Sequence, residues 1–294
     1  MGGTALFSLP GQRDFRRDTF GRVRVAVVGA SSGLGRCIAT SLGQAGDSVA
    51  LLARRRERLV DAAEEAGPGS LAVACDVTDE ASVSQAVAAA VDGLGGLDGL
   101  VYTAGMAPLA RLVDLRADQW RQAFDTNVVG AALVTAAALP HLIESGGVAT
   151  YLSSIAASMT PPWPGLGAYA ASKAALDTMV EAWRSEHPTV GFTRVVVGDC
   201  AGGDGPSMTE FPMSWDVELL GELHPEWTAR QYLSGSLLEV ADLVRVVDTV
   251  LRLGRSACVP SVAVIPRPDR GSSRPRLDEA LRSAEPRRPG GTTA

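Results

Sequence analysis

Lysine is almost missing from this chain: of 27 lysine and arginine residues, Lys173 alone is a lysine. Cysteine is sparse as well. The four that occur, Cys37, Cys75, Cys200 and Cys258, are far apart and form no C-x-x-C pair. That spacing argues against a disulfide framework or a cysteine metal site, and the expectation is four reduced core thiols in a cytoplasmic protein. His141, His187 and His224 are scattered too, so no zinc spacing is present. Basic charge is not in excess, and the net charge of −6 gives no electrostatic reason to expect nucleic acid or an anionic membrane surface as a partner. Residues 1–10 lack the basic start and apolar run of a signal peptide. The most apolar stretch, residues 128–139, reads as too short to span a bilayer and runs into Pro140. What is present, 46% hydrophobic and 20% charged residues, describes a soluble globular protein with a sizeable core.

The scarcity of lysine gives weight to the one that remains. A coding bias accounts for most of the arginine, but not for a single surviving ammonium. Lysine offers a compact charge on a flexible stem, which a planar guanidinium does not imitate. Lys173 is therefore read as a position where chemistry needs it.

Residues 1–20 are mixed and aperiodic and read as an arm. From residue 21 to 266, short apolar runs alternate with longer helical stretches. Runs at 23–29, 48–53, 71–75, 97–103, 148–152, 192–197 and 262–265 predict buried strands. Segments near 34–45, 55–66, 79–92, 117–145, 168–187 and 239–253 predict helices, with Thr78 and Asp79 as start signals for the third. Such alternation predicts an α/β fold: one Rossmann-type, doubly wound parallel sheet with helices on both faces. Residues 199–236 break the rhythm as an insertion. Residues 267–294, rich in Arg, Pro, Ser and Gly, read as a disordered tail.

Between the first strand and the first helix stands Gly29-Ala30-Ser31-Ser32-Gly33-Leu34-Gly35. Glycines there allow a sharp turn and close approach of a pyrophosphate to a helix N-terminus. At the end of the second strand, an acid would accept from the ribose hydroxyls of NAD. This chain instead places Arg54, Arg55 and Arg56 after Ala53. Guanidinium groups suit a 2′-phosphate, so NADP(H) is the expected cofactor, with Arg54 and Arg55 as its candidate ligands. The alternative is a solvated basic helix start.

Tyr169 and Lys173 are four residues apart in a helical segment and so share a face. A cation beside a phenol stabilises the phenolate, which predicts a lowered tyrosine pKa and a usable acid. With these motifs in order, the chain resembles the short-chain dehydrogenases/reductases over about residues 22–265. The resemblance implies that Asp76 and Val77 contact adenine and that Ala104 and Gly105 line the cofactor. It also implies that Asn127 holds a water in a proton relay, that Ser154 orients the carbonyl, and that Tyr169 and Lys173 complete the catalytic set. The implied reaction is hydride transfer from NADPH to a small-molecule carbonyl substrate, with Tyr169 as general acid. Homodimers or homotetramers paired through segments 117–145 and 168–187 are expected from the same resemblance. An epimerase or dehydratase on this scaffold, or a regulatory NADP-binding protein without turnover, are the competing readings.

Four departures from the family pattern stand out. Val28 replaces a threonine before the glycine motif, and Tyr102-Thr103-Ala104-Gly105 replaces Asn-Asn-Ala-Gly. About two extra residues separate Ser154 from Tyr169, with Pro161, Pro162, Trp163 and Pro164 among them. Gly198-Asp199 replaces Pro-Gly. In the insertion, Met208, Phe211, Met213, Trp215, Trp227 and Tyr232 are more apolar than a solvated loop. With Trp163 opposite, they either pack on the domain or cover a bulky ketone, and Trp163, Met208, Trp215 and Trp227 are the candidate substrate contacts.

Overall fold

The computed structural model describes residues 21–233 and 235–267. The arm and tail expected at 1–20 and 267–294 fall outside that range, Arg267 excepted. Seven apolar runs form β1 (Arg24–Val28), β2 (Ser48–Ala53), β3 (Leu71–Ala74), β4 (Gly99–Tyr102), β5 (Val148–Ser154), β6 (Gly191–Val197) and β7 (Ser261–Val264). Between them lie α1 (Gly33–Gln44), α2 (Arg56–Ala66), α3 (Glu80–Leu94), α4 (Ala117–Phe124), α5 (Gly130–Ser145), α6 (Ile155–Ser158), α7 (Gly167–Glu186), α8 (Val217–Ala229) and α9 (Val240–Leu251). The strands pair in parallel in the order β3-β2-β1-β4-β5-β6-β7.

Alternate residues of each strand enter opposite core layers, because successive side chains point to opposite faces of a sheet. Ala26 and Val28 of β1, with Ala50 and Leu52 of β2, face Val83, Val87, Ala131, Val134, Leu142 and Leu176 on α3, α5 and α7. Val25, Val27, Val49 and Leu51 face Ile38, Leu42, Leu59, Leu243 and Val247 on α1, α2 and α9. Each fully buried leucine or valine contributes about 1.5–3 kcal/mol. Strand order reverses between β1 and β4, and this opens a crevice at their carboxyl ends, where sheets of this kind bind ligands.

Three expectations are corrected. Residues 128–139 belong to a continuous helical run, Ala117–Ser145, whose 29 residues are long and apolar enough by length and composition to cross a membrane. In this fold it is a core helix: Ala131, Val134, Thr135, Ala138 and Leu142 are buried against α3 and the sheet. Of the four free cysteines only Cys75 is buried; Cys37 and Cys200 are half-buried and Cys258 is exposed. The insertion contains a helix, α8, that periodicity did not predict. Asp216 caps it, accepting from the backbone N–H groups of Glu218 and Leu219 at 2.9 and 3.0 Å. Pro225 stands inside this helix, where a proline ordinarily argues against one.

Candidate active site

β5 ends at Ser154, whose Oγ accepts from the Ala156 backbone N–H at 3.2 Å and so starts α6. On α7, one turn apart, lie Tyr169 and Lys173, with Lys173 Nζ 5.9 Å from the Tyr169 ring centroid. Lys173 is buried and donates to the Leu152 carbonyl at 2.8 Å, which fixes its ammonium beneath the strand end. Burial pushes its pKa down to about 8, while the charge of Asp177 works the other way.

The phenol does not behave as the spacing suggested. Burial pushes the Tyr169 pKa up to about 12, against a smaller downward pull from its hydrogen bond with Ser154. Phe211 stands edge-on to the tyrosine ring at 5.1 Å and is one of the side chains packed around it. Desolvation of a phenolate here outweighs the cation.

Asn127 lies in a π-helical turn, Asp125–Val129, between α4 and α5. It is fully buried. Its Nδ2 donates to the Met106 carbonyl at 2.9 Å and to Ser172 Oγ at 2.8 Å, and its Oδ1 accepts from the Met106 N–H at 2.9 Å. Both amide hydrogens are thus engaged, tying the loop after β4 to α7 beside Lys173. That arrangement makes Asn127 a positioning residue for the loop and for α7. Tyr102 stands where the family pattern has an asparagine; its hydroxyl donates to the Thr126 carbonyl at 2.5 Å and anchors the same π-turn. A Cβ on Gly130 would come within 2.9 Å of that hydroxyl.

Across the crevice, the glycine turn packs against the end of β4. A Cβ on Gly29, whose φ is +88°, would lie 2.6 Å from the Ala104 nitrogen, and one on Gly35 would overlap the Gly29 carbonyl and Thr103 Oγ1. Only glycine permits this turn. Ser31 is buried, Leu34 packs into the core beside α1, and the hydroxyls of Ser31 and Ser32 accept from one nitrogen of Arg55 at 2.8 and 3.0 Å. Turn, hydroxyls and guanidinium together form a cradle that fits a pyrophosphate with a further anionic group. Arg54 is exposed, and Arg55 is the arginine that reaches the turn. Asp76 accepts from the backbone and hydroxyl of Thr78 at 3.0 and 2.8 Å; these bonds, with Arg54 nearby, hold its carboxyl below the usual range. Val77 is buried beside it, while Ala104 and Gly105 line the floor, a Gly105 Cβ falling 3.6 Å from Lys173 Nζ.

The segment after β6 closes over both halves. At Gly198-Asp199 the backbone is engaged: Gly198 N–H donates to the Val264 carbonyl and the Leu238 N–H to the Asp199 carbonyl. Thr209 then lies against Gly33, Glu210 pairs with both Arg55 and Arg58, and Phe211 covers Tyr169. Trp163 and Trp227 lie in their own buried cluster with Leu223, ring centroids 5.5 Å apart, rather than on an open wall. Trp215 is half-buried, donating to the Ala107 carbonyl at 2.7 Å, and Met208 is exposed. Arg58, Thr209 and Glu210 are the site residues that the sequence reading missed. Contacts across more than 150 positions leave no spacing signal.

Residues 24–210 match the short chain dehydrogenase family model. The chain belongs to the short-chain dehydrogenase family. An uncharacterised oxidoreductase of Staphylococcus epidermidis is 31% identical over 193 residues, which cover 65% of this chain and 80% of that one. Among solved structures, this short-chain dehydrogenase fold matches 3-ketoacyl-(acyl-carrier-protein) reductase of Brucella melitensis, complexed with NADH. The TM-score is 0.69 at 23% identity, over 84% of this chain and 97% of that one. It also matches an alcohol dehydrogenase of Thermococcus sibiricus complexed with 5-hydroxy-NADP, with TM-score 0.68 at 24% identity, over 82% and 94%. Those two likenesses concern the fold. With the family match they identify an oxidoreductase of the short-chain type, in a fold whose members bind NAD(P)(H).

Proposed function

We propose that this short-chain dehydrogenase reduces a ketone to a secondary alcohol with NADPH. The observation that carries the reading is the convergence of Ser154, Tyr169 and Lys173 at the strand end that faces the Arg55-bearing glycine turn. NADPH would be held by the turn and by Arg55, and when bound it supplies the hydride. Ser154 Oγ would donate to the carbonyl oxygen and orient it. Tyr169 Oη would pass its proton to that oxygen as negative charge develops, and the Lys173 ammonium would stabilise the phenolate left behind. Asn127 keeps Met106 and Ser172 in place around these atoms.

Choice of NADPH over NADH rests on Arg55, with Arg58 beside it and no acid at the end of β2. For the substrate, we favour an apolar, bulky ketone, because Phe211, Trp215 and the Trp163–Trp227 cluster border Tyr169. We further infer a cytoplasmic enzyme that forms a homodimer or homotetramer through α4, α5 and α7. Exposed Val129 and Ile143 on the 117–145 run suit that pairing. The direct test is NADPH oxidation across a size-graded ketone series, with NADH in parallel. A Trp215→Ala variant should raise KM for bulky ketones and leave small ones little changed. Consumption of neither cofactor across the series would remove the reductase reading.

A further inference from the structure

One segment, residues 202–215, spans the entire crevice from the phosphate turn to the general acid. Thr209 Oγ1 would stand 3.5 Å from a Cβ on Gly33. Next in sequence, Glu210 offers one carboxylate oxygen to Arg55 and the other to Arg58. Phe211 follows and lies on Tyr169, then stacks edge-on to Trp215 at 5.6 Å. Arg55 meanwhile uses its other terminal nitrogen for Ser31 and Ser32. A carboxylate with its two oxygens divided between two guanidinium groups has the geometry with which a phosphate would be held.

We infer that Glu210 is an internal competitor for the site of the cofactor 2′-phosphate: it closes the crevice in the free enzyme and is displaced by NADPH. The inference rests on the NADPH reading above. Three consecutive residues cover three successive parts of the binding site, so a backbone shift at Glu210 carries both neighbours with it. Displacing Glu210 releases Phe211 as well and uncovers Tyr169 for the substrate. The two oxygens of Glu210 are ionised throughout the working range: partial burial opposes the charge, but Arg55 and Arg58 hold the carboxyl below its usual pKa. All three side chains of this cluster are about a third to a half exposed, so the latch is weak enough to open. Ligand affinity falls in proportion to the fraction of molecules in the open state. Glu210 therefore lowers NADPH affinity while it keeps the acid covered until cofactor arrives.

The test is Glu210→Gln, which keeps size and removes charge at a half-exposed loop position. In wild-type protein, NADPH should bind more tightly than NADH. In the variant, the Kd for NADPH should fall by about 3- to 10-fold, as expected for two partly exposed ion pairs. A second readout uses adenosine 2′,5′-bisphosphate, which carries the 2′-phosphate but is too short to reach Tyr169. It should speed amide exchange across residues 203–215 of the wild type, and 5′-AMP should not. An unchanged or weaker NADPH Kd in the variant, in a wild type that prefers NADPH, would overturn the competitor role and leave the cofactor reading standing. Unaltered exchange with the bisphosphate would do the same. A wild type that binds both cofactors equally would remove the NADPH reading, and this inference with it.

Discussion

On the catalytic wall, Lys173 and Asn127 are fixed by hydrogen bonds from buried atoms to backbone carbonyls. Across the crevice, Glu210 and Phe211 are held by half-exposed ion pairs and aromatic edges. The first arrangement is costly to disturb, because each broken bond leaves a polar group unsatisfied in the interior. The second exchanges protein contacts for water at little cost. The proposed reaction would need both: a wall that holds proton donor and ammonium in register, and a cover that can move on each turnover.

The sharpest way to probe the wall is Tyr169→Phe. Turnover should fall by about 10²- to 10⁴-fold with the NADPH Kd little changed, read by steady-state kinetics beside a binding titration. Retained activity would mean that another group donates the proton. On the cover side, Trp227→Ala removes a buried indole that packs on Trp163 and donates to the Pro164 carbonyl at 2.8 Å. A loss of about 3–5 kcal/mol is expected, seen as a lower melting temperature. An unchanged melting temperature would mean that the aromatic cluster opens independently of the domain.

Arg55→Ala should weaken NADPH by about 10- to 100-fold and NADH far less, the difference of a lost charge-assisted contact of about 1.5–3 kcal/mol. Arg54→Ala should have the smaller effect, since Arg54 does not reach the glycine turn. Equal losses for both cofactors on Arg55→Ala would make it a structural brace for Ser31 and Ser32.

The smallest expected effect concerns pH. Burial has lowered the Lys173 pKa to about 8, so its ammonium is present below that pH and is lost above it. Reductase kcat/KM should therefore decline above about pH 8. Asp177, buried one turn further along α7 with Arg194 3.5 Å away, favours the charged lysine. Asp177→Asn should move the decline to lower pH by roughly half a unit to one unit, without altering the reaction itself. A decline that sets in only near 12 would assign it to Tyr169.

The contrast between wall and cover also divides what the sequence made legible. Strands, helices, the glycine turn and the Tyr169–Lys173 pair were readable, because each depends on local period or on spacing within one element. Ser154 was named by the family resemblance, since the predicted strand stopped at 152. What escaped depends on contacts between distant segments. Glu210 finds Arg55 and Arg58 only after the chain folds back. The upward pKa of Tyr169 follows from burial in the folded domain, where Phe211, 42 positions away, is one of its neighbours, and not from the lysine one turn along. Arg54 and Arg55 were equivalent as letters; the fold brings Arg55 to Ser31 and Ser32 and leaves Arg54 exposed.

Tyr102 has a consequence for how such a chain can change. Its hydroxyl occupies the space beside Gly130 and supports the Thr126 carbonyl, at a position where the family pattern has an asparagine. An asparagine restored at 102 would be too short for that carbonyl and would leave a void the size of a phenol. An alanine at 130 would meet the hydroxyl, and Val77 as well. Gly130 is therefore held to glycine from two sides, by the Tyr102 hydroxyl and by Val77, and a change at 102 alone does not free it.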